Sequence, residues 1–146
     1  MSVQSFVCRG LHTVEEMLPH QHIVEQLGHG NSAETYRQYL SEMIPKGYSQ
    51  MAVFKGETCI AIAGYFINIK LFSGKYVELD NVVVDAAHRS SGVGRILCKA
   101  IEEEGIKQGC KVSVLDAYVE NQDAHRFYFR EGYTIKGFHF YKKLFS

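Results

Sequence analysis

The chain has 146 residues, 46% of them hydrophobic and 22% charged, with only two prolines, which suits one globular domain with a real apolar core. Sixteen basic and sixteen acidic residues cancel, so no bulk field recruits nucleic acid or an anionic membrane, and any bound anion must be gripped locally. The longest apolar runs fall far short of the roughly 20 residues that span a bilayer, and the N-terminus lacks a signal-peptide pattern, so a cytoplasmic location is expected.

In chain order, residues 2–10 alternate as a strand. Residues 13–30 read as a helix opened by a Thr13/Glu16 capping box, with Val14, Met17, Leu18, Val24 and Leu27 on one stripe and Pro19 as a kink. Residues 32–47 read as a second helix capped by Ser32, with Tyr36, Tyr39, Leu40 and Met43 facing inward. A hairpin over 50–69 turns at Lys55-Gly56-Glu57. A central strand comes next over 76–85, its second half continuously apolar. Val93, Ile96, Leu97, Ala100 and Ile101 then mark a helix to about Gln108. A buried strand over 111–119, a short helix over 121–130 and a pair of strands over 133–145 complete the chain. With no repeat or linker, 1–146 reads as a single domain. Its fold class is α/β (α+β): a mixed, mostly antiparallel twisted sheet, helices on both faces, and a central parallel β-α-β crossover over 76–117.

Four cysteines, Cys8, Cys59, Cys98 and Cys110, form no CxxC pair and read as buried or half-buried reduced thiols. His12, His20, His22 and His29 cluster in sequence without a third ligand to complete a metal site, so no metal is expected.

The stretch "HRSSGVGRIL" puts Gly92 and Gly94 at a helix start, although glycine costs a helix interior about 1 kcal/mol. A helix's first turn has bare N–H groups and partial positive charge, so it accepts phosphate, and missing side chains let the anion approach. Arg89 and Arg95 flank the turn and add fork hydrogen bonds. Tight helix–strand packing would use the same glycines. The stretch is neither a P-loop, which needs GxxxxGK[ST], nor a dinucleotide fingerprint, whose third glycine is replaced by Leu97.

"VVVDAAHRSSGVGRIL" resembles the acetyl-CoA motif of the GNAT superfamily of N-acyltransferases, with Arg89-Ser90-Ser91-Gly92-Val93-Gly94 matching [RQ]-x-x-G-x-[GA]. "NQDAHRFYFREGY" resembles the superfamily's second motif at Asn121, Ala124, Phe127, Tyr128, Gly132 and Tyr133. The resemblance covers residues 50–145 as an acetyl-CoA-binding core, with 1–48 as a variable acceptor-side portion. Ser90 and Ser91 stand where glycine and glutamine are commoner, and Ala86 where proline is frequent; none of these removes an N–H donor.

The resemblance implies that the backbone of Val82, Val83 and Val84 pairs with the pantetheine arm of acetyl-CoA. Residues 89–95, that is Arg89, Ser90, Ser91, Gly92, Val93, Gly94 and Arg95, then hold the pyrophosphate. Asn121 contacts the pantetheine, and Tyr128 sits beside the thioester sulfur as proton donor, unless it is a core aromatic. Glu78 is the first choice of base, sharing a face with Asp80 and Val82 by strand alternation; Asp80 or Asp116 acting through water are alternatives. His125 and Arg126 point to solvent by helical geometry, and His88 reads as exposed. The implied reaction is N-acetyl transfer to a primary amine by direct attack, with Cys98 and Cys110 taking no nucleophilic part. A catalytically silent acyl-CoA-binding module is the alternative. The acceptor is a small-molecule or peptide amine; Tyr36, Tyr39 and Tyr48 either line its pocket or pack in the core. A homodimer through the terminal strands is a further expectation.

Overall fold

The computed structural model describes residues 5–145, so positions 2–4 of the expected first strand lie outside the described residues. Strand β1 (Phe6–Leu11) pairs antiparallel with β2 (Tyr48–Lys55). Between them runs a helical excursion. Thr13 Oγ1 accepts the Glu16 N–H at 3.1 Å and the Glu16 carboxylate accepts the His12 N–H at 3.1 Å, which opens α1 (Val14–Met17).

The single helix expected over 13–30 is broken into short pieces. Pro19 has no N–H to continue an α-helical ladder, and 3-10 turns at Leu18–His20 and Glu25–Leu27 flank α2 (Gln21–Val24). The changed phase buries Met17, Ile23 and Val24 and leaves Leu27 exposed, against the expected stripe. Helix α3 (Ala33–Met43) begins at Ser32, whose Oγ accepts the Thr35 N–H at 3.1 Å. Tyr36 and Leu40 are buried, but Tyr39, expected inward, is 51% exposed. The helix stops before Gly47, where φ is +102°.

β2 turns through Gly56 into β3 (Thr58–Lys70), which pairs antiparallel with β4 (Gly74–Val84). Helix α4 (Val93–Lys107) leads to β5 (Val112–Leu115), which pairs parallel with β4. The sheet order is β1-β2-β3-β4-β5, the mixed and mostly antiparallel arrangement expected. β5 is shorter and more exposed than the buried strand expected over 111–119.

Two layers of side chains cover the sheet. Val77 faces α4: a Cβ added at Gly105 would come within 2.7 Å of Val77 Cγ1, so glycine lets that helix lie close. Val93, Leu97 and Ile101 of α4 are fully buried. The core cluster of Met17, Val24, Tyr36 and Leu40 instead joins Tyr48, Ala52, Ile62 and Val83 on the other face. Burying a side chain of this size stabilises by about 1.5–3 kcal/mol.

The chain divides into two compact units after Leu115. The second holds α5 (Gln122–Arg130) and residues 133–145, which form no strand. The strand pair expected there is therefore corrected: alternation provides two faces, but a strand exists only where a ladder partner accepts its hydrogen bonds. Phe138, Phe140 and Tyr141 are exposed. Cys59 and Cys98 are buried and Cys110 is half-buried, whereas Cys8 is exposed, and all four are free thiols. No helix among the described residues is long and apolar enough to cross a membrane.

Candidate functional site

The strand register sets the site. Tyr48, Phe66 and Glu78 lie opposite one another across β2, β3 and β4, and Gln50, Gly64 and Asp80 form the next row. Glu78 and Asp80 thus share the face that carries α1 to α3. Beyond Asp80 the ladder slips: Gly64 pairs with Asp80 but Ile62 pairs with Val83, so β4 spends one extra residue. The bulge centres on Asn81, held at φ +54°. Strict alternation would put Val82 beside Asp80; the bulge puts Val83 in that row and turns Val82 to the opposite face.

β5 accompanies β4 only from Tyr76 opposite Val112 to Leu79 opposite Leu115. From Asp80 to Val84, β4 has ladder partners on its β3 side alone among the described residues. Among the described residues Val82, Val83 and Val84 have no strand partner on the side away from β3, and Val84 O accepts from Arg89, so this edge suits an extended amide-bearing chain.

That edge runs straight into the glycine turn. The Asp85 N–H donates to Ile60 O at 2.8 Å, and the Arg89 Nε–H donates to Val84 O at 3.3 Å. Ser90 adopts φ +64°, which accounts for glycine as the commoner residue there. Gly92 is the N-cap of α4 at φ +83°, with no side-chain cap and nothing within 4 Å of an added Cβ. Close packing is therefore not what requires Gly92; the left-handed backbone and the open approach are. Arg95 and Arg89 are exposed beside it. An uncapped helix start with two flanking arginines fits a diphosphate.

Gln26 clamps the turn: its Nε2 donates to Asp85 Oδ1 at 2.7 Å, and its Oε1 accepts the Ala86 N–H at 3.2 Å. The Gln26–Asp85 hydrogen bond, ahead of His88 Nδ1 at 3.4 Å from Asp85 Oδ2, holds the Asp85 carboxyl below its usual range. His88 is thus half-buried and paired. Nothing in the sequence marks Gln26, because its partners lie about sixty residues away.

On the face of Glu78 and Asp80 lies a cavity of about 100 Å³. Glu25, Tyr36, Tyr39, Tyr48 and Asn81 contribute its polar and aromatic walls, so the three tyrosines do line a pocket, and Tyr36 and Tyr48 are core residues as well. Beneath them Gln50, 1% exposed, donates from Nε2 to Tyr36 Oη at 2.9 Å and to Tyr48 Oη at 3.0 Å. Burial raises both phenols, Tyr48 far above its ordinary value, with the nearby Asp80 charge adding to the rise. A larger cavity of about 210 Å³ beside Val77, Gly105 and Val112 offers no aromatic or amide wall.

In the second unit, Asn121 caps α5: its Oδ1 accepts the Ala124 N–H at 3.2 Å. Tyr128 is half-buried, its ring edge-on to Phe127 and Tyr133 at 5.1 and 5.7 Å. His125, expected in solvent, is instead half-buried with Nε2 at 2.9 Å from Tyr118 O, and Arg126 pairs with Asp123. Asp116 lies 3.4 Å from His139 Nδ1.

Among known proteins, the chain is 28% identical over 130 residues to an uncharacterised N-acetyltransferase, YhdJ, of Bacillus subtilis, covering 88% of this chain and 92% of the relative. It is 30% identical over 101 residues to an aminoalkylphosphonate N-acetyltransferase of Salmonella typhimurium, covering 68% of this chain and 65% of that one. Its fold matches an aminoglycoside N-acetyltransferase, AAC(6')-Iy, solved in complex with CoA, with a TM-score of 0.85 at 19% identity over 98% of this chain and 97% of that one. A model of the acetyltransferase (GNAT) family matches residues 12–133. With the bulged strand, the uncapped glycine turn and the second motif in one chain, the protein belongs to the GNAT acetyltransferase family and is an acyltransferase.

Proposed function

We propose that the protein transfers acetyl from acetyl-CoA to a primary amine by direct attack within a ternary complex, all of residues 1–146 serving as one catalytic module. The observation that carries this reading is the continuous path from the β4 edge at Val82–Val84, which has no strand partner on that side among the described residues, to the uncapped helix start at Gly92. Bound acetyl-CoA supplies an activated thioester. The backbone of Val82, Val83 and Val84 pairs with the pantetheine amides, and its N–H groups serve as oxyanion donors. Residues 89–95 hold the pyrophosphate through N–H groups and the two arginines.

Glu78 takes the proton of the attacking amine, directly or through water; Asp80, in the next row of the same face, is the alternative, and Asp116 a further one. Tyr128 holds the motif position of the proton donor to the departing thiolate, and Asn121 that of a pantetheine contact. The acceptor enters from the tyrosine-lined cavity. A homodimer in the cytoplasm is part of the same reading. Isothermal titration with acetyl-CoA, followed by thiol release over an amine panel, tests it. Micromolar binding with release on at least one amine is expected; binding without release on any amine points to a silent acyl-CoA-binding module.

A further inference from the structure

The cavity beside Asn81 has one carboxylate that the fold leaves half used. Glu25 Oε2 accepts the Gly30 N–H at 2.9 Å, which ties down the glycine loop after α2. Glu25 Oε1 is buried and has no hydrogen-bond partner among the described residues. A buried carboxylate oxygen without a donor is costly unless a ligand supplies one. Glu25 lines the cavity with Tyr36, Tyr39 and Tyr48, and its charge is felt at Tyr36. No Lys or Arg lines the cavity; His29 is its one basic side chain. Carboxylate with tyrosine faces is the chemistry that holds an ammonium group.

Size narrows the ligand. At about 100 Å³ the cavity is smaller than the roughly 150 Å³ that takes a six-carbon ring, so it admits an aminoalkyl arm and not a whole sugar. Resting on the acetyltransferase reading above, we infer that the acceptor is a linear di- or polyamine. One ammonium of it seats on Glu25 between the rings of Tyr36 and Tyr39, and a second amine stays free for acetylation. Acceptors bearing a phosphonate or phosphate are disfavoured, because their anion meets Glu25 with no arginine or lysine to offset it. This separates the chain from its aminoalkylphosphonate-acetylating relative.

The test measures thiol release from acetyl-CoA with 1,4-diaminobutane, 1-aminobutane and 3-aminopropylphosphonate. The expected kcat/KM favours the diamine at least about tenfold over each of the others. Glu25→Gln keeps the acceptor for Gly30 N–H and brings the diamine down to the level of the monoamine. Tyr39→Leu, at an exposed position, lowers diamine kcat/KM severalfold and checks the pocket independently of the Glu25 fold contact. Equal use of diamine and monoamine, or indifference to both substitutions, overturns the inference while leaving acetyl transfer intact. If no amine releases thiol, the acetyltransferase reading fails, and NMR titration of 1,4-diaminobutane decides the pocket by itself. Binding weakened by Glu25→Gln supports the inference; unchanged or undetectable binding to the unmodified chain overturns it.

Discussion

Gly64→Ala is the sharpest probe of how the proposed acceptor side is built. Gly64 has an ordinary φ, so the substitution carries no backbone strain, but its added Cβ would come within 2.6 Å of Tyr48 Cε1 and 2.7 Å of Tyr48 Cζ, and closer still to the hydroxyl. Tyr48 is 4% exposed and lies against Phe66 at 5.0 Å, so the ring has little room to yield. Overpacking of this kind costs about 1–3 kcal/mol. The shift also takes Tyr48 Oη away from Gln50, a buried hydrogen bond worth about 1 kcal/mol. Loss of glycine's unfolded-state entropy returns about 0.4–1 kcal/mol. A net loss of about 1–3.5 kcal/mol is expected, read in urea as a lower midpoint at unchanged m. In a Tyr48→Ala background the penalty shrinks by more than half, because the obstructing ring is gone. The amine KM rises in the single variant, while acetyl-CoA affinity holds. A loss under about 0.5 kcal/mol, or an equal loss in both backgrounds, refutes the packing argument.

Three other outcomes are expected. Gly92→Ala forces a non-glycine residue to φ +83°, costing about 1–2 kcal/mol, and calorimetry shows weaker acetyl-CoA binding with little change in amine KM. Tyr128→Phe lowers kcat far more than the KM for acetyl-CoA, in steady-state assays; unchanged turnover removes the proton-donor role. Burial raises the Tyr36 and Tyr48 phenols in the folded state, so their neutral forms favour folding. That contribution is complete below the unfolded tyrosine value near 10 and is lost as pH climbs above it. Urea midpoints between pH 9 and 11 fall for the unmodified chain and fall less for Tyr48→Phe.

Local signals are legible in the sequence and long-range ones are not. Thr13 and Ser32 cap helices because a cap is decided within three residues, and the Gly56 hairpin and the start of α4 at Gly92 are equally local. The glycine turn proposed to hold acetyl-CoA is readable for the same reason. The bulge at Asn81 gives no warning, since nothing in "VELDNVVVD" distinguishes a bulged residue from a paired one, and it misplaces Val82. Leu27 and Tyr39 depart from expectation where the helical phase or cavity opening depends on other elements. Gln26 looks like any polar residue on a helix; its role depends on Asp85, which only folding brings near. Residues 133–145 alternate like a strand, but alternation carries no information about the partner.

Glu25, at the cavity proposed for the acceptor, and Gln26, on the turn proposed to begin the phosphate loop, are adjacent in the chain. In the proposed reading one short 3-10 turn carries a residue of each site, so a substitution that re-seats the turn reaches the coenzyme side and the acceptor side together. Whatever factor the amine adds to coenzyme affinity, the coenzyme returns to the amine. A change of acceptor preference made through this turn is therefore expected to alter coenzyme affinity as well.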